Sequence, residues 1–102
     1  MTMRLSKSEI DSIKNLAKQH FGKDVQVYLF GSRVNNLQRG GDIDLFIRAK
    51  QDTALTTRSK IEFVSNLIEK IGDQKIDVVL ENQLDENSGF LKSINRTAIQ
   101  LC

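Results

Sequence analysis

The spacing of three β-rich apolar runs constrains this chain more than any other feature. Residues 25–30 (Val-Gln-Val-Tyr-Leu-Phe) and 42–47 (Asp-Ile-Asp-Leu-Phe-Ile) are separated only by residues 31–41, a polar segment with Gly31, Gly40, Gly41 and an Asn-Asn pair. That segment is short for a crossover, so the first two strands are expected to pair antiparallel. A third run, residues 75–80, follows residues 48–74, which carry a helical pattern. A helix-bearing link of that length predicts a third strand parallel to the second, through a right-handed crossover.

The helices have their own signals. Over 6–21, Ser6 and Glu9 form a capping-box pattern, Ile10, Ile13, Ala17 and His20/Phe21 lie near one stripe, and Gly22 supplies a stop. Over 53–71 the expected stripe is Ile61, Val64, Leu67, Ile68 and Ile71, ending at Gly72. Over 90–101, Leu91, Ile94, Ala98 and Leu101 fall in register for a last helix. The order αβ–βαβ–α predicts an α/β (α+β), two-layer domain. Its three-stranded mixed sheet has the first and second strands antiparallel and the second and third parallel. The helices cover one face, and the other is left open.

A chain of 102 residues is expected to form one domain over 1–102, with no linker, repeat or low-complexity tract. Its 39% apolar and 27% charged residues suit a folded globular protein. The net charge of +2 gives no argument for direct nucleic-acid binding. No apolar run has the ~20 residues of a membrane helix, and no signal-peptide pattern opens the chain. The single cysteine, Cys102, allows no internal disulfide and suits a reducing compartment, so a cytoplasmic location is expected.

Chemistry concentrates at one end of the expected sheet. Side chains two apart in a strand share a face, which sets Asp42, Asp44 and Phe46 on one side and Ile43, Leu45 and Ile47 on the other. In a parallel neighbour, Asp77 starts at the same end, and the antiparallel first strand delivers Gly31-Ser32 there too. Mg²⁺ favours a few carboxylates with water and substrate phosphates. Two such ions about 4 Å apart can activate an attacking oxygen and neutralise a leaving pyrophosphate. Asp42 and Asp44 would be shared ligands, and Asp77 would complete the set and could take the nucleophile's proton. Gly31 lets backbone approach a triphosphate, and Ser32 offers an N–H and a hydroxyl.

Each piece also has an ordinary reading. Alternating aspartates can be the solvated face of an edge strand, Gly-Ser an everyday turn, and Asp77 a surface carboxylate; their convergence is what favours a site. Arg33, Arg39, Arg48 and Lys75 are candidates to meet triphosphate charge, Arg33 first among them. His20, Tyr28 and the phenylalanines read as packing residues. One histidine and one cysteine leave no Cys/His metal cluster and no Ser/His/Asp triad.

Phe30-Gly31-Ser32-Arg33, Gly41-Asp42-Ile43-Asp44-Leu45 and Lys75-Ile76-Asp77-Val78-Val79-Leu80 together resemble the DNA polymerase β nucleotidyltransferase superfamily. The likeness runs from about residue 4 to the end and includes the spacing of all three motifs. The short length resembles the minimal (MNT-type) branch, whose members often act as antitoxins paired with a HEPN-domain protein. The resemblance implies that Asp42, Asp44 and Asp77 bind two Mg²⁺ and that Gly31, Ser32 and Arg33 hold the nucleotide. Many minimal members carry a second arginine two residues after the first and a serine before the first aspartate. Here Asn35 and Gly41 stand at those positions, which takes one guanidinium from the substrate side and leaves the metal ligands untouched.

Larger members grip the acceptor with a separate domain, and none is expected here in the short stretch after the third strand. The expected acceptor surface therefore comes from a partner, another copy or the target itself. The expected activity is transfer of AMP from ATP to a hydroxyl of a partner protein, a HEPN-type toxin or other helical subunit, with the chain acting as antitoxin. Two alternatives stand beside it: a non-catalytic module that masks its partner, and a transferase subunit acting on a small molecule.

Overall fold

A computed structural model describes residues 5–30, 43–50, 54–72, 75–83 and 98–102. The elements run α1 (Lys7–Phe21), β1 (Gln26–Phe30), β2 (Ile43–Arg48), α2 (Thr57–Ile71), β3 (Ile76–Leu80), a 3₁₀ turn (Glu81–Gln83) and β4 (Ile99–Gln100). The sheet order is β3-β2-β1-β4. β1 pairs antiparallel with β2 and β2 pairs parallel with β3, as the loop lengths require.

Local sequence explains where the helices begin and stop. Ser6 Oγ accepts from the Glu9 N–H at 3.1 Å, and Glu9 Oε1 accepts from the Ser6 N–H at 2.9 Å, closing the expected capping box. α2 starts at Thr57, later than the expected 53, because the Thr56 hydroxyl caps the Ser59 N–H at 3.0 Å. Both helices stop at glycines with positive φ, 105° at Gly22 and 99° at Gly72, a backbone region where a side chain is strained.

Both helices cover one face of the sheet. Ile13, Leu16, Ala17 and Phe21 of α1 and Phe63 and Leu67 of α2 pack with Val27, Leu29, Ile43, Leu45, Ile47, Val78 and Leu80 from the strands. Phe21 meets Phe63 edge-on at 5.4 Å, and the Asn66 amide lies 2.9 Å from His20 Nε2, joining the two helices. His20 is thus a packing residue, as expected.

Three expectations need correction. First, the sheet has a fourth strand. The expected helix over 90–101 does not reach its end, because Ile99–Gln100 pairs antiparallel with β1 at Leu29 and Tyr28. The Leu101 N–H donates to Val27 O at 2.7 Å and the Val27 N–H to Cys102 O at 3.1 Å, so the backbone there is committed to the sheet. Residues 90–97 of that expected helix lie outside the described residues. Second, Ile61 is 59% exposed, and Phe63 takes the core position on α2. Phe63, Leu67 and Ile71 follow one another at four-residue intervals along the stripe that the sheet selects. Third, the face turned away from the helices is not bare. Phe46 is fully buried there, apart from the main core, with Tyr28 beside it at 6.1 Å between ring centroids.

Among the described residues, no helix is long and apolar enough to cross a membrane.

Candidate active site

The strand registers arrange the face opposite the helices in rows. Phe30, Asp44 and Asp77 form the first, since Phe30 is the partner of Asp44 on one side and Asp77 its partner on the other. Gln100, Tyr28, Phe46 and Val79 form the second. Gln26 and Arg48 form the third, and Glu81 joins it through its ion pair with Arg48.

The first row holds two of the candidate site residues. Asp44 and Asp77 are direct neighbours on adjacent strands, which sets their backbones about 4.8 Å apart. They are carried there by the in-out alternation of two buried strands, whose intervening residues Ile43, Leu45, Val78 and Leu80 all lie in the core. A slip of one residue would turn that apolar set outward, so the core fixes which face the aspartates take. Asp44 is half-buried and Asp77 is exposed, so Asp77 is the more open of the two to solvent.

Two carboxylates side by side favour a cation between them, by Coulomb attraction and by the oxygen preference of hard divalent ions. The pair therefore fits part of a Mg²⁺ ligand set. Among the described residues no group of three His, Cys, Asp or Glu comes together. Asp42, the third expected ligand, lies outside the described residues, as do Gly31, Ser32, Arg33 and Arg39. In sequence Gly31 and Ser32 directly follow Phe30, which sits in the carboxylate row.

The remaining cationic candidates separate. Lys75 stands two residues before Asp77, at the carboxylate end, where its carbonyl accepts from the Ile43 N–H at 3.0 Å. Arg48 does not belong with the site. It lies four residues along β2 from Asp44, about 13 Å away at strand rise. Its Nε bonds Glu81 Oε2 at 2.6 Å, and its guanidinium lies over the rings of Tyr28 and Phe46, 5.8 and 5.5 Å from their centroids. Only the register of β2 against β3 could have exposed this pairing, since the two residues are 33 apart in sequence.

The family model of the nucleotidyltransferase domain matches residues 10–101. The chain belongs to the nucleotidyltransferase domain family. This places it among the polymerase β-like transferases, in agreement with the mixed sheet and its carboxylate row. No curated protein shows significant similarity to the chain. Members of this family transfer nucleotidyl groups from a nucleoside triphosphate with the help of divalent metal. In this nucleotidyltransferase domain, Asp44 and Asp77 are the described acidic residues whose positions suit that role.

Proposed function

We propose that the chain is a Mg²⁺-dependent transferase that moves AMP from ATP to a hydroxyl of a partner protein, a HEPN-type toxin, and acts as its antitoxin. The observation that carries the transferase half is the direct pairing of Asp44 with Asp77 across parallel strands, in a chain of the nucleotidyltransferase family. The protein acceptor and the antitoxin role rest on the resemblance to the minimal branch.

In this reading Asp42, Asp44 and Asp77 would hold two Mg²⁺, which would supply charge neutralisation for the triphosphate and a lower barrier to deprotonating the acceptor. Gly31 and Ser32 bind phosphate oxygens through backbone N–H groups and the Ser32 hydroxyl, and Arg33 adds positive charge. The acceptor oxygen forms a bond to the α-phosphorus as the bond from that phosphorus to the bridging oxygen breaks. Pyrophosphate leaves, and the acceptor's proton passes to the Asp77 carboxylate, which meets solvent and can release it.

Incubation with ATP labelled at the α-phosphate, Mg²⁺ and a co-encoded helical protein tests the proposal. Label should appear on the partner with the wild type and be absent with Asp42→Asn or Asp44→Asn. Neutralisation of the toxin by these variants without any labelling would point to masking. Label appearing only on an added aminoglycoside-like polyol would point to the small-molecule reading.

A further inference from the structure

The opposite end of the sheet holds a cleft of about 500 Å³ lined by Asp24, Gln26, Arg48, Ala49, Lys50 and Glu81. That size is in the range of ~300–1,000 Å³ that small-molecule sites occupy. A second hollow of about 320 Å³ shares Asp24 and Lys50 with it and continues past Lys23 to the end of α1. The geometry points to a second ligand site in this cleft, separate from the carboxylate row, for a small molecule with a carboxylate or phosphate group beside a hydrogen-bond donor.

The principal support is Arg48. A surface arginine that serves solubility is mobile, whereas this one is held on three sides. Its Nε is committed to Glu81, and its guanidinium lies over Tyr28 and Phe46. Its side chain is only 33% exposed. The other N–H groups of the fork have no hydrogen-bond partner among the described residues. Such a fork loses little further freedom on meeting an oxyanion, the condition under which arginine binds carboxylate or phosphate well.

Lys50 and Asp24 supply the remainder. Both line the cleft, yet no ion pair joins them, and neither has another ion pair among the described residues. Opposite charges on one rim that do not close on each other leave room for a ligand between them. Lys50 would meet the anionic group alongside Arg48, while Asp24 and the Gln26 amide would accept from the donor. With Glu81 offsetting Arg48, Lys50 and Lys23 outnumber Asp24, so the wall favours a net negative ligand. The distance along β2 keeps such a ligand clear of Asp44, so the site does not depend on the transferase reading.

Nuclear magnetic resonance titration of the full chain tests this, following backbone amides and the Arg48 Nε–H. The probes are inorganic phosphate, sodium acetate and sodium chloride at matched pH and ionic strength. Saturable shifts at Asp24, Gln26, Arg48, Lys50 and Glu81 with phosphate or acetate are expected, and the stronger of the two names the ligand group. Lys50→Ala, at an exposed position, should weaken the response about tenfold, the loss of one charge-assisted hydrogen bond. Shifts no larger than those with chloride, or shifts unchanged in Lys50→Ala, would overturn the site.

Discussion

The two ends of the outer sheet face are built from the same strands and differ in how their charges are set. At one end Asp44 stands beside Asp77, like next to like. At the other, Arg48 and Glu81 form an ion pair 2.6 Å long that is braced by two aromatic rings. Between them Tyr28, Phe46 and Val79 form an apolar row with Phe46 fully buried. Opposite charges attract without help, whereas adjacent carboxylates repel and a cation between them relieves the repulsion. The first arrangement braces itself within the fold, and the second suits a cation. A braced ion pair and a pair of carboxylates thus stand at opposite ends of one surface, about four residues apart along β2.

Several substitutions would break or sharpen this contrast. Asp44→Asn and Asp77→Asn should each lower nucleotidyl transfer by about a thousandfold or more, several kcal/mol of lost transition-state stabilisation. Their melting temperatures should fall far less than their activities. A fall in stability as large as the fall in activity would show the aspartates to be structural. Phe46→Ala should cost on the order of 3 kcal/mol in denaturant unfolding, because it empties the row that both ends rest on. Both ends should weaken together in that variant.

Metal should act at one end alone. Mg²⁺ at a hundredfold excess over its dissociation constant should raise wild-type stability by about 2.7 kcal/mol, measured by thermal melting. Asp77→Asn should lose most of that gain, and Glu81→Gln should keep it. The smallest effect belongs to the ion pair. Glu81→Gln should destabilise by about 1 kcal/mol or less, since both side chains are about one-third exposed (33% and 32%) and solvent screens the pair. Its transferase activity should remain within a few-fold of wild type.

Much of this layout was legible in the sequence, and what was not has physical causes. Antiparallel and parallel pairing followed from residues 31–41 being too short to cross over and residues 48–74 being long enough. The period of two then put Asp44 and Asp77 on one face. β4 was hidden because Leu91, Ile94, Ala98 and Leu101 keep helical spacing, while the pairing with Val27 and Leu29 that overrides it is tertiary. On α2, Ile61 and Phe63 belong to competing apolar stripes, and only the sheet decides between them. Phe46, read as a packing residue, alternates with the aspartates onto the face expected to be open, where Tyr28 and Arg48 stand beside it. Gly31, Ser32, Arg33 and Asp42 lie outside the described residues, so their part in the site rests on the motif and its spacing.

The most direct measurement is paramagnetic broadening by Mn²⁺, which stands in for Mg²⁺ at oxygen sites. Added to the full chain at substoichiometric amounts, it should broaden the amide signals of Phe30, Asp44 and Asp77 first. Those of Arg48, Lys50 and Glu81, at the far end of the strands, should broaden last and least, and Asp77→Asn should suppress the effect. Broadening centred on Arg48 and Glu81, or spread evenly along β2 and β3, would contradict a metal-binding carboxylate row.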